Sequence, residues 1–237
     1  MKTKLFACLT MLAAFSLVGC GLIPEIHTDG GDDSISDDYN SELVTQKLDT
    51  LRISSGYKIS YDITTNDGEG EEKISYTYAA KNDVYYLKGS ENDETYWDLS
   101  RDDTYDYYYK SASDESFSKE TYSYEDTSPK ETIKEYTDAA LVSWYGYYGA
   151  FSDMGAKKSE TTMLGRSCDQ YSITQTIMTI GARVVWSYTC VIEKEYGVCF
   201  KWDYSISGQA GDEGGSGAVK IECKEFTINP TITLPTV

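Results

Sequence analysis

The stretch Tyr57-Lys58-Ile59-Ser60-Tyr61-Asp62-Ile63-Thr64 alternates an apolar or aromatic side chain with a polar one at every step. Successive side chains of a strand point to opposite faces, so this period of two predicts a strand buried on one side only. Thr65-Asn66-Asp67-Gly68-Glu69-Gly70 follows with turn chemistry, and Ile74, Tyr76, Tyr78 and Ala80 repeat the alternation on the way back. An antiparallel hairpin is the seed of the fold.

Outward from this hairpin, Asn82, Gly89, Asn92 and Asp102-Asp103 punctuate short strands at Val84–Lys88, Thr95–Leu99, Thr104–Lys110 and Phe117–Tyr124. Turn signals about every ten residues describe a meander. Four further strands are expected at Gly165–Thr174, Arg183–Glu193, Gly197–Ile206 and Ala218–Ile228. In the middle pair, Trp186, Tyr188, Cys190 and Ile192 are set to face Tyr204, Trp202, Phe200 and Val198, giving one continuous apolar side. Gly208 to Gly217 reads as a loose glycine-rich loop.

Two helices are predicted. Leu43, Val44, Lys47, Leu48 and Leu51 share one face at helical spacing, with Asn40 or Ser41 as the cap, Glu42 in the first turn and Gly56 as the stop. Midway along the chain, Ser128-Pro129-Lys130-Glu131 is a capping box with proline at the first helical position. Ile133, Tyr136, Ala140, Trp144 and Tyr147 or Tyr148 continue an apolar face until Gly146 and Gly149. The expected fold is therefore mainly β (α+β): a single curved antiparallel sheet or half-barrel of about ten strands. It would wrap one long central helix, with a short N-terminal helix beside it.

The chain has 237 residues, 40% apolar and 25% charged, which suits one packed domain. Its 22 tyrosines against 6 phenylalanines suit half-buried strand faces, apolar at the ring and wet at the hydroxyl. Formal net charge is -18, and loss of residues 1–19 would remove Lys2 and Lys4 and no acid. Nucleic acid and anionic lipid headgroups would repel so acidic a body, so no nucleic-acid partner is expected.

Lys2 and Lys4 precede an apolar stretch, Leu5 to Val18, that is short for a bilayer span of about 20 residues and fits the core of a secretory signal. It ends in Leu17-Val18-Gly19-Cys20, which resembles the bacterial lipobox. The resemblance implies cleavage before Cys20, lipid on its thiol, and a palmitate-like set of acyl chains holding the chain to the outer side of the cell membrane or to the outer membrane. Two acyl chains on one residue bind a membrane durably where one binds marginally. The expected organisation is a signal peptide at 1–19, a lipidated acidic tether at 20–40, the β domain at 41–229 and a tail at 230–237. The tether has an expected reach of about 25 Å. Its Asp29–Asp38 run lacks the spacing of a calcium loop.

Cys8 leaves with the signal and Cys20 is lipidated, which leaves Cys168, Cys190, Cys199 and Cys223. Outside the cytosol an even number suggests two disulfides, and neighbouring-strand distances favour Cys168 with Cys190 and Cys199 with Cys223. The apolar register opposes this, placing Cys190 inside and both Cys199 and Cys168 outside. A bulge or free buried thiols would resolve the conflict. No C-x₂-C spacing supports zinc.

His27 is the single histidine, which removes Ser-His-Asp, Cys-His and H-E-x-x-H mechanisms. No G-x-S-x-G is present, and Gly211-Asp212-Glu213-Gly214-Gly215-Ser216 lacks the lysine of a P-loop. Neither an enzyme activity, a catalytic residue, a metal nor a cofactor is expected.

The order of elements on a lipidated tether resembles the lipoprotein carrier and receptor fold of the LolA/LolB type over roughly residues 41–229. Leu164-Gly165-Arg166-Ser167-Cys168-Asp169-Gln170-Tyr171 and Glu195-Tyr196-Gly197-Val198-Cys199-Phe200-Lys201 carry the likeness in sequence. The resemblance implies an apolar hollow for acyl chains, lined by Trp144, Tyr147, Tyr148, Trp186, Tyr188, Phe200 and Trp202. The alternative is a surface protein whose exposed Tyr105, Tyr107 and Tyr109 stack on glycan or a protein partner.

Overall fold

Helix α1, Ser41–Ser54, places Val44, Leu48 and Leu51 on one buried face, as the helical spacing predicts. Burying each of these side chains contributes about 1.5–3 kcal/mol. The helix stops at a left-handed glycine: Ser55 N–H and Gly56 N–H both donate to the Leu51 carbonyl, at 2.9 and 2.7 Å. Gly56 has φ of 79°, and its carbonyl accepts from Asn229 N–H at 3.0 Å. This one residue thus ties the end of the helix to the end of the last strand.

The computed structural model describes residues 41–68, 70–89, 91–125, 129, 133, 156–179, 182–210 and 213–237, all within the compact unit Ser34–Val237. Eleven antiparallel strands form one sheet: β1 Tyr57–Asn66, β2 Glu71–Lys81, β3 Val84–Lys88, β4 Glu94–Asp98, β5 Thr104–Lys110, β6 Ser118–Ser123, β7 Lys157–Met163, β8 Arg166–Thr179, β9 Ala182–Glu193, β10 Cys199–Ala210 and β11 Glu213–Ile228. Their spatial order is β6-β5-β4-β3-β2-β1-β11-β10-β9-β8-β7, so the sheet does not close. The chain meanders from the middle to one edge, passes to the opposite edge through residues 126–155, and meanders back to the middle. β1 and β11 meet there, from Tyr57 opposite Ile228 to Asn66 opposite Ala218.

Several expectations are corrected. β7, Lys-Lys-Ser-Glu-Thr-Thr-Met, has no apolar alternation because it is an edge strand, where charged side chains discourage further pairing. The expected glycine-rich loop is mostly strand. β10 runs on to Ala210 and β11 starts at Glu213, with Gly208 opposite Gly215. Backbone pairing needs no side chain, so glycines carry the ladder here at an entropic cost. The β9–β10 register is also offset by two: Tyr188 stands opposite Tyr204, Cys190 opposite Trp202 and Trp186 opposite Ile206.

The long central helix is not shown. Of its predicted span only Pro129 and Ile133 are described, both helical, and the rest lies outside the described residues. Ile133 is buried in a cluster with Trp97, Leu99 and Tyr105, against which Tyr107 and Tyr122 pack. Tyr105 is 6% exposed, and Tyr107 and Tyr109 are half-buried on the same side of β5. The expected exposed row of Tyr105, Tyr107 and Tyr109 therefore faces the core side, because Trp97 lies opposite Tyr107.

The two faces of the sheet differ in kind. On one, Ile59, Tyr61, Tyr78 and Ala80 are buried next to α1. The other carries ion pairs: Lys73 to Asp62 at 2.9 Å and Lys58 to Glu225 at 2.8 Å across neighbouring strands, and Lys220 to Glu222 at 2.9 Å along β11. Exposed pairs of this kind contribute about 0–1 kcal/mol each. Asp106 differs, being 2% exposed. Burial alone would push its carboxyl up, but Lys119 and Thr121, with Arg101 beside them, outweigh burial and hold it below its ordinary range. The contacts are 2.8 Å to Lys119, 2.7 Å to Thr121 and 2.9 Å to Arg101.

Two predictions follow from these contacts. A Cβ at Gly56 would lie 2.7 Å from the Lys81 Cβ, in a backbone region that side chains rarely adopt. Gly56→Ala is expected to cost at least about 1–3 kcal/mol in urea unfolding. Asp106 has a depressed folded-state pKa, so its stabilisation is complete above the unfolded value of about 4 and is lost as pH falls through the folded value. Asp106→Asn should remove about 2–3 kcal/mol at neutral pH. It should also flatten the fall in stability below about pH 4, which unfolding measured across the acid range will read out.

Candidate functional site

Of the residues assigned to an apolar hollow, Trp144, Tyr147 and Tyr148 lie outside the described residues, as does the lipid-attachment residue Cys20. The other four are brought into one region by β9 and β10, but they are not equivalent. Tyr188 and Trp202 are 1% and 6% exposed and meet edge to face at 5.7 Å. Phe200 is fully buried against Phe226, also at 5.7 Å. These three are core. Trp186 is half-exposed.

The ladder around Trp186 defines a more accessible apolar field. Trp186 lies opposite Ile206, Tyr188 between Tyr204 and Ile173, Val219 opposite Tyr204, and Ile63 opposite Ile74. Paired residues project to the same side, so Ile63, Ile74, Val219, Tyr204, Ile206 and Trp186 share the apolar face. All six are half-buried. Gly208, Gly215 and Gly217 fall on that face too, by alternation with Ile206 and Val219. Where a neighbour would carry a side chain, these positions leave bare backbone, so the field is shallow beside Ile206. The glycine-rich sequence was the available signal for this, and read as a loop it concealed the site.

Two hollows flank the sheet. A groove of about 430 Å³ runs between α1 (Leu43, Lys47, Leu51) and Glu195-Tyr196 of the β9–β10 turn. A smaller one of about 250 Å³ is lined by Ser187, Ser205, Ser207 and Ser216 with Val185 and Ala218. Ile206 and Gly217 line it as well, so it offers hydroxyls beside apolar carbon. Among the described residues no group of three or more metal-ligating side chains converges, and no helix is long and apolar enough to cross a membrane.

Near the groove, the buried Glu193 carboxylate accepts from Arg166 Nε at 2.9 Å and from Tyr196 N–H at 2.7 Å. The Arg166 guanidinium lies over both the Tyr196 and Phe226 rings, 5.4 and 5.2 Å from their centroids. This pair fixes the β9–β10 turn; Arg166 lies in the first of the two segments that carry the LolA/LolB resemblance, and Glu193 just ahead of the second. All four cysteines downstream of Cys20 are buried thiols, with no bridge between them. The bulge that the cysteine conflict called for is present: the β9–β10 register shifts between Cys199 and Lys201, which turns Cys199 to the same face as Cys190.

On the opposite face a different aromatic row crosses three strands: Tyr86 opposite Tyr96, and Tyr96 opposite Tyr108. The Tyr86 and Tyr96 rings are 4.7 Å apart, and Phe117 meets Tyr96 edge-on at 5.7 Å. Burial, with Glu94 beside it, pushes the Tyr86 hydroxyl well up, so it stays protonated and donates to Glu94.

No family model matches the chain, and no curated protein matches it. Solved structures do. The chain is similar to a DUF1329 family protein from Desulfovibrio piger, with 11% identity, 85% of this chain and 95% of that one covered, and a TM-score of 0.28. It is similar to PNGF-II at 8% identity and a TM-score of 0.26, over 76% of this chain and 29% of that one. It is also similar to a structure described as an outer membrane lipoprotein-sorting protein domain from Vibrio parahaemolyticus. That match has 7% identity, a TM-score of 0.18, and covers 82% of this chain and 94% of that one. Scores this low carry no argument about ligand or activity, which rests on the chain's own residues.

Removing one member of a buried ion pair costs about 3–5 kcal/mol, whereas replacing both with apolar residues can be neutral. Arg166→Met is expected to destabilise by that amount, and the double variant Arg166→Met with Glu193→Leu by much less. A double-mutant cycle in chemical denaturation reads the difference.

Proposed function

We propose that this is an exported lipoprotein, anchored through Cys20, that binds a hydrophobic or lipidic ligand on the apolar sheet face around Trp186, Tyr204 and Ile206. The single observation supporting it is the half-exposed apolar field, which continues the core face beyond the fully buried Tyr188 and Trp202. Soluble domains expose few contiguous apolar patches, and larger ones mark interaction sites. An unbranched acyl chain fits a long, shallow apolar surface, and a row of aromatic and branched side chains beside bare glycine backbone offers one. The lipobox-like Leu17-Val18-Gly19-Cys20 supplies the anchor in this reading, and the acidic body keeps anionic headgroups away from the domain surface. No catalytic step is part of it.

Titration with a fluorescent long-chain fatty acid tests the reading. Trp186→Ser combined with Ile206→Asn should weaken binding at least about tenfold, a loss of about 1.4 kcal/mol. Tyr96→Ser on the other face should leave it unchanged. Equal affinity in all three proteins would end the proposal.

A second reading, glycan or protein binding through tyrosines, now attaches to the Tyr86-Tyr96-Phe117 row instead of Tyr105, Tyr107 and Tyr109. The row is half-exposed and flanked by the Lys88–Glu94 pair at 3.6 Å. Loss of partner or glycan capture in Tyr96→Ser, with fatty acid binding absent from the wild type, would favour it.

A further inference from the structure

We propose that Cys199 and Cys223, both thiols in this structure that donate to the Lys201 and Glu225 carbonyls at 3.4 and 3.2 Å, are joined by a disulfide in the exported protein, while Cys168 and Cys190 stay as thiols. The inference rests on the export reading above for its oxidising compartment. Its geometry rests on two bulges. In β10, Cys199 stands opposite Ile192, Lys201 opposite Val191 and Trp202 opposite Cys190. Ile192 and Cys190 share a face, so Cys199 and Trp202 share it too, although an uninterrupted strand would have set them on opposite sides. In β11, Ser60 stands opposite Glu225 and Tyr61 opposite Cys223, so the register shift there absorbs Lys224. That turns Cys223 to the face of Ile221, which lies opposite both Ile63 and Trp202. Both cysteines therefore project from one face of adjoining strands.

They are also near each other along those strands. The β10–β11 ladder ends at Lys201 opposite Glu222, with Cys199 two residues beyond on β10 and Cys223 one residue beyond on β11. A disulfide spans a Cα separation of about 4.4–6.8 Å. Tyr61, directly opposite Cys223, donates its hydroxyl to the Cys199 carbonyl at 2.7 Å, so a single side chain bridges the two positions.

The ladders also exclude two of the other pairs. Cys168 lies opposite Glu193 and Cys190 opposite Tyr171 with no shift between them, so Cys168 and Cys190 project to opposite faces. Cys190 and Cys199 are a full two-residue diagonal apart, since their partners are Trp202 and Ile192.

Burial decides when the bond forms. Cys199 and Cys223 are each 1% exposed, and burial, with Cys199 nearby, pushes the Cys223 thiol well up. The thiolate is the attacking species, so the folded dithiol is inert and the bridge must form while β10 and β11 are still open. One cysteine attacks a disulfide of an extracytoplasmic thiol oxidant, and the second displaces it. Two protons and two electrons pass to the oxidant, which leaves as a dithiol.

The test is peptide mapping of the full chain from an exporting bacterial host, denatured in an alkylating agent without reductant. The expected result is one linked pair of peptides containing Cys199 and Cys223, with Cys168 and Cys190 alkylated. Cys223→Ser should release Cys199 to alkylation, and Cys190→Ser should change nothing. Alkylation of both Cys199 and Cys223 in chains that carry acyl groups on Cys20 would overturn the proposal, as would a bridge containing Cys168 or Cys190. Should Cys20 be unmodified, the export reading fails on its own. The geometry is then judged by refolding the chain with Cys8→Ser and Cys20→Ser in a glutathione redox buffer. Formation of the Cys199–Cys223 bridge there supports the pairing, and four alkylated thiols refute it.

Discussion

The pairing of β1 with β11 holds the molecule together. These strands come from opposite ends of the domain, yet they lie side by side in the middle of the sheet, matched along their length from Tyr57 opposite Ile228 to Asn66 opposite Ala218. Without this seam the chain is two separate meanders, β1 to β6 and β7 to β11, each with an additional raw edge. The apolar face that runs through Ile59, Ile221, Trp202 and Tyr188 exists only when the two halves are joined. Such a contact is among the least local in the chain, so its loop-closure entropy must be met before it contributes, and folding should be slow for a domain of this size. The Gly56 carbonyl, which accepts from Asn229, fastens the outer end of the same seam beside α1.

Two bulges refine what the seam establishes. Each inserts one residue, Lys224 in β11 and Phe200 in β10, and so rotates the following side chains by one face. The consequence is a division of labour. One face has internal ion pairs and, toward β3 to β5, a row of tyrosines whose hydroxyls can hydrogen-bond. The other continues from a sealed core under α1 to a half-exposed apolar field beyond. A ligand that cannot hydrogen-bond would find its complement only on the second.

Much of this was legible in the residues. Period-two alternation placed β3 and β5 at their observed ends, because each is bounded by asparagine, glycine or aspartate turns. Helix α1 was legible through Val44, Leu48 and Leu51. What failed did so for physical reasons. β7 lacks alternation because an edge strand meets solvent on both faces and has no apolar side to declare. The glycines at 208, 215 and 217 suppressed a strand reading, since propensity registers the missing side chain while the ladder needs only backbone. The β9–β10 register was misplaced because a bulge leaves no mark in composition, and the conflict among Cys168, Cys190 and Cys199 was the one trace of it. Of the residues assigned to the hollow, Trp186 is half-exposed, while Tyr188, Phe200 and Trp202 are buried in the core. The neighbours that complete the field, Ile63, Ile74 and Val219, lie far from Trp186 in sequence, and only the β1–β11 seam brings them together.

The central claim is that the apolar face beyond the core is occupied by lipid in the cell. Native mass spectrometry of the full chain released from membranes tests it most directly. A stoichiometric mass excess matching a lipid, beyond any acyl groups carried on Cys20 and lost when Trp186 and Ile206 are both replaced by aspartate, is the predicted result. A chain at its bare covalent mass, under conditions that preserve lipid complexes of a known carrier, would contradict it.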